Sequence, residues 1–392
     1  MNIGMFSDTY YPERNGQATA ISLYKKYLEE LGHNVYLFIP KYDKKQKRDD
    51  NHIYESPSLR YFLDKNLRLA IPISPNLIKI KKLNLDVIHS HDPFSMGIYA
   101  KLASKILKIP HVGTHHTMFE HYTHYVPKLI RPSLEKTQEM IKKWCLSVNK
   151  VIAPTDNIKE VLESYGVPST HIKVIPTGID VESFQNEISF NVREHYNISN
   201  DEKFFLFVGR VSKEKNIDFL IKVYDEIQKK YSNFKFLIVG DGKDRENLKS
   251  LVKKLNLEDK IIFTGALDRE KVIDIYKQAY MFIFASFTET QGLVVLESMA
   301  AGTPVVALGK MGVYDLLSIP DNGGIMIEEL KKDKFVEEIE KLIINNENYE
   351  YLKKKGVNFV EKNFSTKLKV IEMANLYEEV IKEYKLKNNY SI

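Results

Sequence analysis

The sequence predicts an α/β protein built from two doubly wound parallel-sheet domains. Three observations carry that expectation. Short apolar runs alternate with longer helical patterns along most of the chain, the rhythm of βαβ units. With 392 residues the chain has room for two domains. The rhythm also pauses once, across residues 176–201, a polar stretch containing Thr177-Gly178-Ile179-Asp180, and then restarts.

In the first half, apolar runs predict strands at Ile3–Phe6, Val35–Ile39, Val87–His89, His111–Gly113, Lys150–Ala153 and Ile172–Ile175. Helices are expected at Gln17–Leu31, Ser74–Lys82, Met96–Leu107, within Lys128–Leu146, and at Asn157–Tyr165. The second half resumes with strands at Phe204–Val208, Phe236–Val239, Ile261–Phe263, Met281–Phe284, Pro304–Val306 and Ile325–Ile327. From Lys331 the pattern is helical and rich in Lys and Glu, ending in Thr366–Tyr384. The expected division is 1–185, together with a last helix at about 370–392, and 186–369. Open α/β sheets bind ligands beyond the C-terminal ends of their strands. Two such domains suit a transferase with two substrates.

Composition excludes several classes. Hydrophobic residues at 43% can fill real cores, which argues against disorder. The single cysteine, Cys145, rules out a disulfide framework and fits a reducing compartment. No basic stretch precedes Asn2–Phe6, so no signal peptide is expected, and no run is apolar enough to span a bilayer. The charge is uneven: residues 1–180 carry 25 Lys+Arg against 18 Asp+Glu, and the remainder 32 against 34. An anionic partner for the first half, or simply unevenly solvated faces, would account for this.

The densest chemical signal is Ser286-Phe-Thr-Glu289-Thr290-Gln291-Gly292-Leu293, continuing to Glu297 and closing with Ala-Ala-Gly-Thr-Pro304. It follows an apolar strand, turns, and opens a helix whose N-terminal N–H groups suit phosphate. An ionised carboxylate accepts two hydrogen bonds, so Glu297 can hold a ribose diol. Read structurally, Glu289 would be a helix cap and Glu297 a solvated residue; the apolar flanks favour function. A second signal is Gly209-Arg210 with Lys213-Glu214-Lys215-Asn216 after a strand. Arg210 and Lys215 there read either as a clamp on a departing diphosphate or as a basic surface cluster.

Gly16 lies between the first strand and the first helix, where a sugar or phosphate would approach backbone. Gly240-Asp241-Gly242 follows a strand, but Arg245 breaks any dinucleotide fingerprint. Seven of eleven histidines fall between His89 and His124, without the spacing or carboxylate partners of a metal site. There is also no Asp-x-Asp to hold Mg²⁺ on a diphosphate. No metal or other cofactor is therefore expected. His115, just past a strand end, is the histidine placed to touch a bound sugar.

Together, Gly209-Arg210…Lys215-Asn216, Gly240-Asp241-Gly242 and Glu289-x7-Glu297 resemble the retaining glycosyltransferases of family 4, whose fold is GT-B. The resemblance extends from Asp8…Asn15-Gly16 to the closing helices. It implies that Arg210 and Lys215 bind the donor diphosphate, Glu297 the ribose and Glu289 the donor sugar. By the same likeness, Gly209, Gly240, Asp241 and the backbone at Thr290, Gln291, Gly292 and Leu293 would complete the donor site. Gly16 would let its loop approach the donor, and His115 would contact the sugar near its 6-position. The last helix is expected to return to the first domain.

The segment Gly113–Pro127, with His89-Ser90-His91-Asp92-Pro93-Phe94, is similar to the diacylglycerol glucosyltransferases of low-GC Gram-positive bacteria and mollicutes. Asp92 stands where that group usually has a small or hydroxyl residue. The likeness implies transfer from UDP-glucose to diacylglycerol by a peripheral protein on the cytoplasmic face of the membrane. Glu120, Tyr122 and Tyr125 would then face the acceptor. Lys79, Lys81, Lys82, Lys128 and Arg131 would meet anionic lipid, beside Arg60, Lys65, Arg68, Lys142, Lys143 and apolar neighbours such as Leu69, Ile71 and Trp144. An ordinary amphipathic core helix within Lys128–Leu146 is the competing reading. No nucleic-acid motif accompanies these charges. A soluble or polyprenyl-linked acceptor, a sugar-nucleotide epimerase and a non-catalytic binding protein remain as alternatives.

Overall fold

The computed structural model describes residues 1–11, 16–42, 50–60, 68–71, 76–91, 93–116, 118 and 131–389. The chain forms two compact units, Met1–Gly178 with Thr366–Ile392, and Ile179–Ser365. The two crossings between them run side by side. Ile179 N donates to Phe364 O at 2.7 Å, and a Cβ on Gly178 would lie 2.4 Å from Thr366 Cα.

Among the described residues the first unit holds nine strands: β1 (Asn2–Phe6), β2 (Asn34–Pro40), β3 (Ile53–Ser56), β4 (Ser58–Arg60), β5 (Arg68–Ala70), β6 (Val87–Ser90), β7 (His111–Thr114), β8 (Lys150–Ala153) and β9 (Ile172–Val174). Seven form a parallel sheet in the order β3-β2-β1-β6-β7-β8-β9, and β4 and β5 make a separate antiparallel pair. Strands covered on both faces are largely apolar, which is why they are legible as short hydrophobic runs, although β6 and β7 also bury His89, Ser90, His111 and Thr114. One layer buries Ile3, Met5 and Leu37 with Tyr24 and Leu28; the other stacks Phe6 on Phe38 at 4.5 Å, edge-on to Tyr99.

The closing helix Thr366–Asn389 returns to this unit, as expected. Val370, Met373, Leu376, Tyr377 and Val380 share a core with Ile21, Tyr24 and Leu28. Three strands escaped the sequence reading. β3 carries only four half-polar residues, and β4 and β5 three each, too short to show a period.

The second unit holds β10 (Lys203–Val208), β11 (Phe234–Val239), β12 (Ile261–Gly265), β13 (Met281–Phe284), β14 (Val305–Leu308) and β15 (Gly324–Ile327). They pair in the order β12-β11-β10-β13-β14-β15, a doubly wound sheet whose winding reverses between β10 and β13. Aromatic side chains fill it; Phe205 stacks on Phe234 at 4.7 Å.

The stretch read as a linker is structured. Val181–Gln185 and Val192–His195 are short helices whose Phe184 and Val192 enter the second core. Asp274 holds this passage, accepting from Ser189 N, Ser189 Oγ and Phe190 N at 2.9–3.0 Å. The segment looked aperiodic because each helix is barely one turn long.

Candidate functional site

The reversal between β10 and β13 brings two loops together. Gly209 leaves β10, and its N–H donates to Val239 O at 3.0 Å. Arg210 is exposed, and Lys213–Lys215 form one tight 3-10 turn. Asn216 ends that turn in the left-handed region at φ 50°, ψ 40°, a conformation Asn tolerates better than most residues. Its Nδ2 donates to Ala285 O at 2.8 Å, just past β13, and Phe287 N donates to Glu214 O at 3.1 Å.

These ties hold Lys215 against Glu289. The ammonium and the Glu289 carboxylate form an ion pair whose side chains are only 12% and 18% exposed. Glu214 sits beside the same cations and accepts from Ser212 Oγ at 2.7 Å. Burial pushes the Glu214 carboxyl up, but that hydrogen bond and the Lys215 and Arg210 charges outweigh it and hold the group below its usual range.

Gly312 seats the Glu289–Gln291 turn. Its N–H donates to Glu289 O at 2.9 Å, and a Cβ there would lie 2.3 Å from Thr290 O. Gly292, at φ 79°, caps the helix Leu293–Ala300, so the turn ends on that helix's N-terminal amides. Gln291 is buried; Thr290 and Leu293 are half-buried. Glu297, in the second helical turn, pairs with Arg269, Nη1 to Oε1 at 2.6 Å. Tyr276 is buried nearby, its phenol pushed well above its usual value by burial first and by the Glu297 charge second.

Gly240 and Asp241 back the Gly209 exit. A Cβ on Gly240 would lie 1.9 Å from Gly209 O, and Val211 N donates to Asp241 O at 3.0 Å. The Asp241 carboxylate turns to Arg245 at 3.4 Å. The second unit thus gathers Gly209, Arg210, Lys215, Gly240, Asp241, Glu289, Thr290, Gln291, Gly292, Leu293 and Glu297 around the C-terminal ends of β10, β11 and β13.

Gly16 and His115 belong to the first unit. Gly16 opens the helix Gly16–Glu30. At the end of β1, Asp8 accepts from Met96 N at 3.1 Å and from Ser95 Oγ, at the start of the Ser95–Leu107 helix. Burial pushes its carboxyl up to about 6, against those two hydrogen bonds. Beyond β6 and β7 lies a histidine cluster. His89 bridges Tyr377 OH at 2.6 Å and Thr114 Oγ1 at 2.7 Å; His111 meets Ser90 Oγ at 2.8 Å; His91 meets His116 at 3.1 Å. Burial holds all five rings, His115 included, below the usual imidazole value, His115 at about 4 and His111 and His116 at about 3. His115 is 1% exposed, with the Trp144 ring 6.4 Å away.

Glu120, Tyr122, Tyr125 and Lys128 lie outside the described residues. Lys79, Lys81, Lys82 and Arg131 are exposed. Two members of the proposed basic and apolar face are corrected: Arg68 is 7% and Trp144 8% exposed. Trp144 packs beneath Gly113, where a Cβ would lie 2.9 Å from its ring, so the helix Leu134–Cys145 turns that side chain into the core. Among the described residues no group of three His, Cys, Asp or Glu side chains is arranged to hold a metal, and no helix is long and apolar enough to cross a membrane. Arg269 and Gly312 went unnoticed in the sequence. Gly312 had a weak signal, a glycine between strand and helix; Arg269 had none, its partner lying 28 positions on.

Comparison with known proteins places both halves. Residues 14–183 match the Glycosyltransferase Family 4 model, and residues 189–359 that of Glycosyl transferases group 1. The chain is 36% identical to an alpha-monoglucosyldiacylglycerol synthase of Streptococcus pneumoniae over 81% of its own length and 73% of the relative's. It is 32% identical to the protein of the same name from Acholeplasma laidlawii, over 85% and 87%. Anabaena HepE, solved with UDP and glucose, has the same fold at TM-score 0.76 and 16% identity, covering 97% of this chain and all of that one.

Proposed function

The chain belongs to glycosyltransferase family 4 and is a hexosyltransferase of GT-B fold, and from that premise we propose that it moves an α-glucosyl group from UDP-glucose to diacylglycerol at a membrane surface, with retention of configuration. The observation carrying the donor half is the meeting of Lys215 and Glu289 across the reversal of the second sheet, with Arg210 beside them. Cations at that edge suit a diphosphate, and the Leu293–Ala300 helix terminus adds amide donors. Glu297, steadied by Arg269, takes the ribose hydroxyls, and Glu289 those of the sugar.

The bond from the anomeric carbon to the diphosphate breaks as the acceptor oxygen attacks the same face. The acceptor's proton passes to the leaving phosphate oxygen, and UDP departs with its added charge spread over Arg210, Lys215 and the helix amides. The acceptor half is supported by the names of the two relatives and by exposed Lys79, Lys81, Lys82 and Arg131 alongside exposed Leu69, Ile71 and Leu134. This face would rest on the cytoplasmic leaflet.

Transfer from radiolabelled UDP-glucose to diacylglycerol in mixed micelles, with and without anionic lipid, tests the reading. Labelled glycolipid that increases with anionic lipid is expected. UDP release without a lipid product would retain the donor site and redirect the search to soluble or polyprenyl-linked acceptors. No turnover with this donor would overturn the choice of UDP-glucose.

A further inference from the structure

The Lys215–Glu289 ion pair has a consequence for the diphosphate that the donor-site reading places on Lys215. A phosphate seated there must share the ammonium with a carboxylate already against it. Both side chains are largely buried, so solvent and salt screen the encounter of two anions far less than at an open surface. Glu214 adds a second carboxylate close to Lys215 and Arg210. The cluster is therefore no bare positive patch; its cations are already partly neutralised.

We infer that Glu289 competes with the diphosphate for Lys215, so that the carboxylate engaging the transferred sugar also weakens binding of the nucleoside diphosphate left after transfer. An ionised carboxylate can only accept hydrogen bonds, and so can phosphate oxygens. While the sugar is attached, its hydroxyls donate to Glu289 and offset the repulsion. Once the sugar has moved to the acceptor those donors leave, and Glu289 and the diphosphate are left to divide the Lys215 charge between them. The pair thus discriminates sugar nucleotide from spent nucleotide by a repulsive element, and it speeds a release step that often limits turnover.

The inference rests on the proposed donor site, and calorimetric titration of the full-length protein separates the two. UDP should bind Glu289→Gln about tenfold more tightly than wild type, the gain changing little as salt is raised because the pair is largely buried. UDP-glucose should gain less or bind more weakly, because a neutral amide offers the sugar hydroxyls one uncharged acceptor oxygen in place of two charged ones. Glu289→Ala carries the same expectation for UDP should the Gln variant misfold. A wild type that binds UDP, with neither variant binding it more tightly, overturns the competition and leaves the donor site standing. A wild type with no affinity for UDP overturns the donor site, and the competition with it.

Discussion

Arg269 grips Glu297: Nη1 lies 2.6 Å from Oε1, and the guanidinium in turn sits over the Phe184 ring at 5.7 Å. The pair joins the first residue of the Arg269–Gln278 helix to the second turn of the Leu293–Ala300 helix. The carboxylate proposed to hold the ribose diol is thereby aimed before any nucleotide arrives.

Removing that grip should act on binding rather than chemistry. Arg269→Ala is expected to raise the donor KM about tenfold with a smaller effect on kcat, and Arg269→Lys to recover part of the loss. Initial rates over a range of UDP-glucose decide it; an unchanged KM would dismiss the positioning role.

The cations proposed to face the diphosphate should behave in the opposite way. Arg210→Ala is expected to lower kcat by about a hundredfold or more while donor binding weakens less, because the leaving group gains charge only as it departs. An Arg210→Ala enzyme with wild-type turnover would remove Arg210 from the mechanism.

Gly240 and Gly32 both have positive φ, 129° and 85°, but only Gly240 is crowded. Its Cβ would meet Gly209 O at 1.9 Å, whereas nothing lies within 4 Å of one on Gly32. Gly240→Ala should cost ~3 kcal/mol or more and disturb the donor loop; Gly32→Ala should cost about 1 kcal/mol. Denaturant midpoints of the two variants provide the comparison, and equal losses would contradict it.

Tyr377 sends its hydroxyl to His89 Nδ1 at 2.6 Å, with both side chains fully buried. Tyr377→Phe keeps the ring packing but strips His89 of a partner, so ~1–3 kcal/mol should be lost from the first unit. A Phe variant as stable as wild type would mean the bond contributes nothing net.

Acid should unfold the first unit before the second. Its five clustered histidines have values depressed by burial, so below about pH 6.5 the unfolded chain takes up protons that the folded unit refuses. Stability is therefore complete above the unfolded value and falls progressively as pH drops toward 3–4. Asp8, raised to about 6, works the other way between its unfolded value and 6, but it is one group against five. The second unit contains a single histidine, His195. Hydrogen exchange at pH 7, 5.5 and 4.5 should show the Met1–Gly178 amides losing protection first; simultaneous loss in both units would refute the assignment.

Much of the fold was readable because buried parallel strands must be apolar on both faces, and helices between them must be amphipathic. Met281–Phe284 and Lys150–Ala153 coincide with their expected limits. The loops proposed for the donor stand out in the sequence for a related reason. Glycine at a tight exit, cations after a strand and paired carboxylates around a helix start are local patterns, each dictated by backbone geometry or charge within a few residues. Trp144 shows the limit: an aromatic among lysines on a short helix reads equally as an interface side chain or a core one, and the space left by Gly113 decided for the core.

The sequence by itself determined the rhythm of strand and helix, the local patterns from which the donor loops are proposed and the uneven charge, since these depend on neighbours along the chain. Only the tertiary structure decided that Lys215 meets Glu289, that Arg269 holds Glu297, and that Tyr377 reaches His89 across 288 positions. Such contacts have no period to betray them. They arise when the winding of a sheet brings distant loops to one edge, and their energy lies in burial and charge pairing that exist only after the chain has closed.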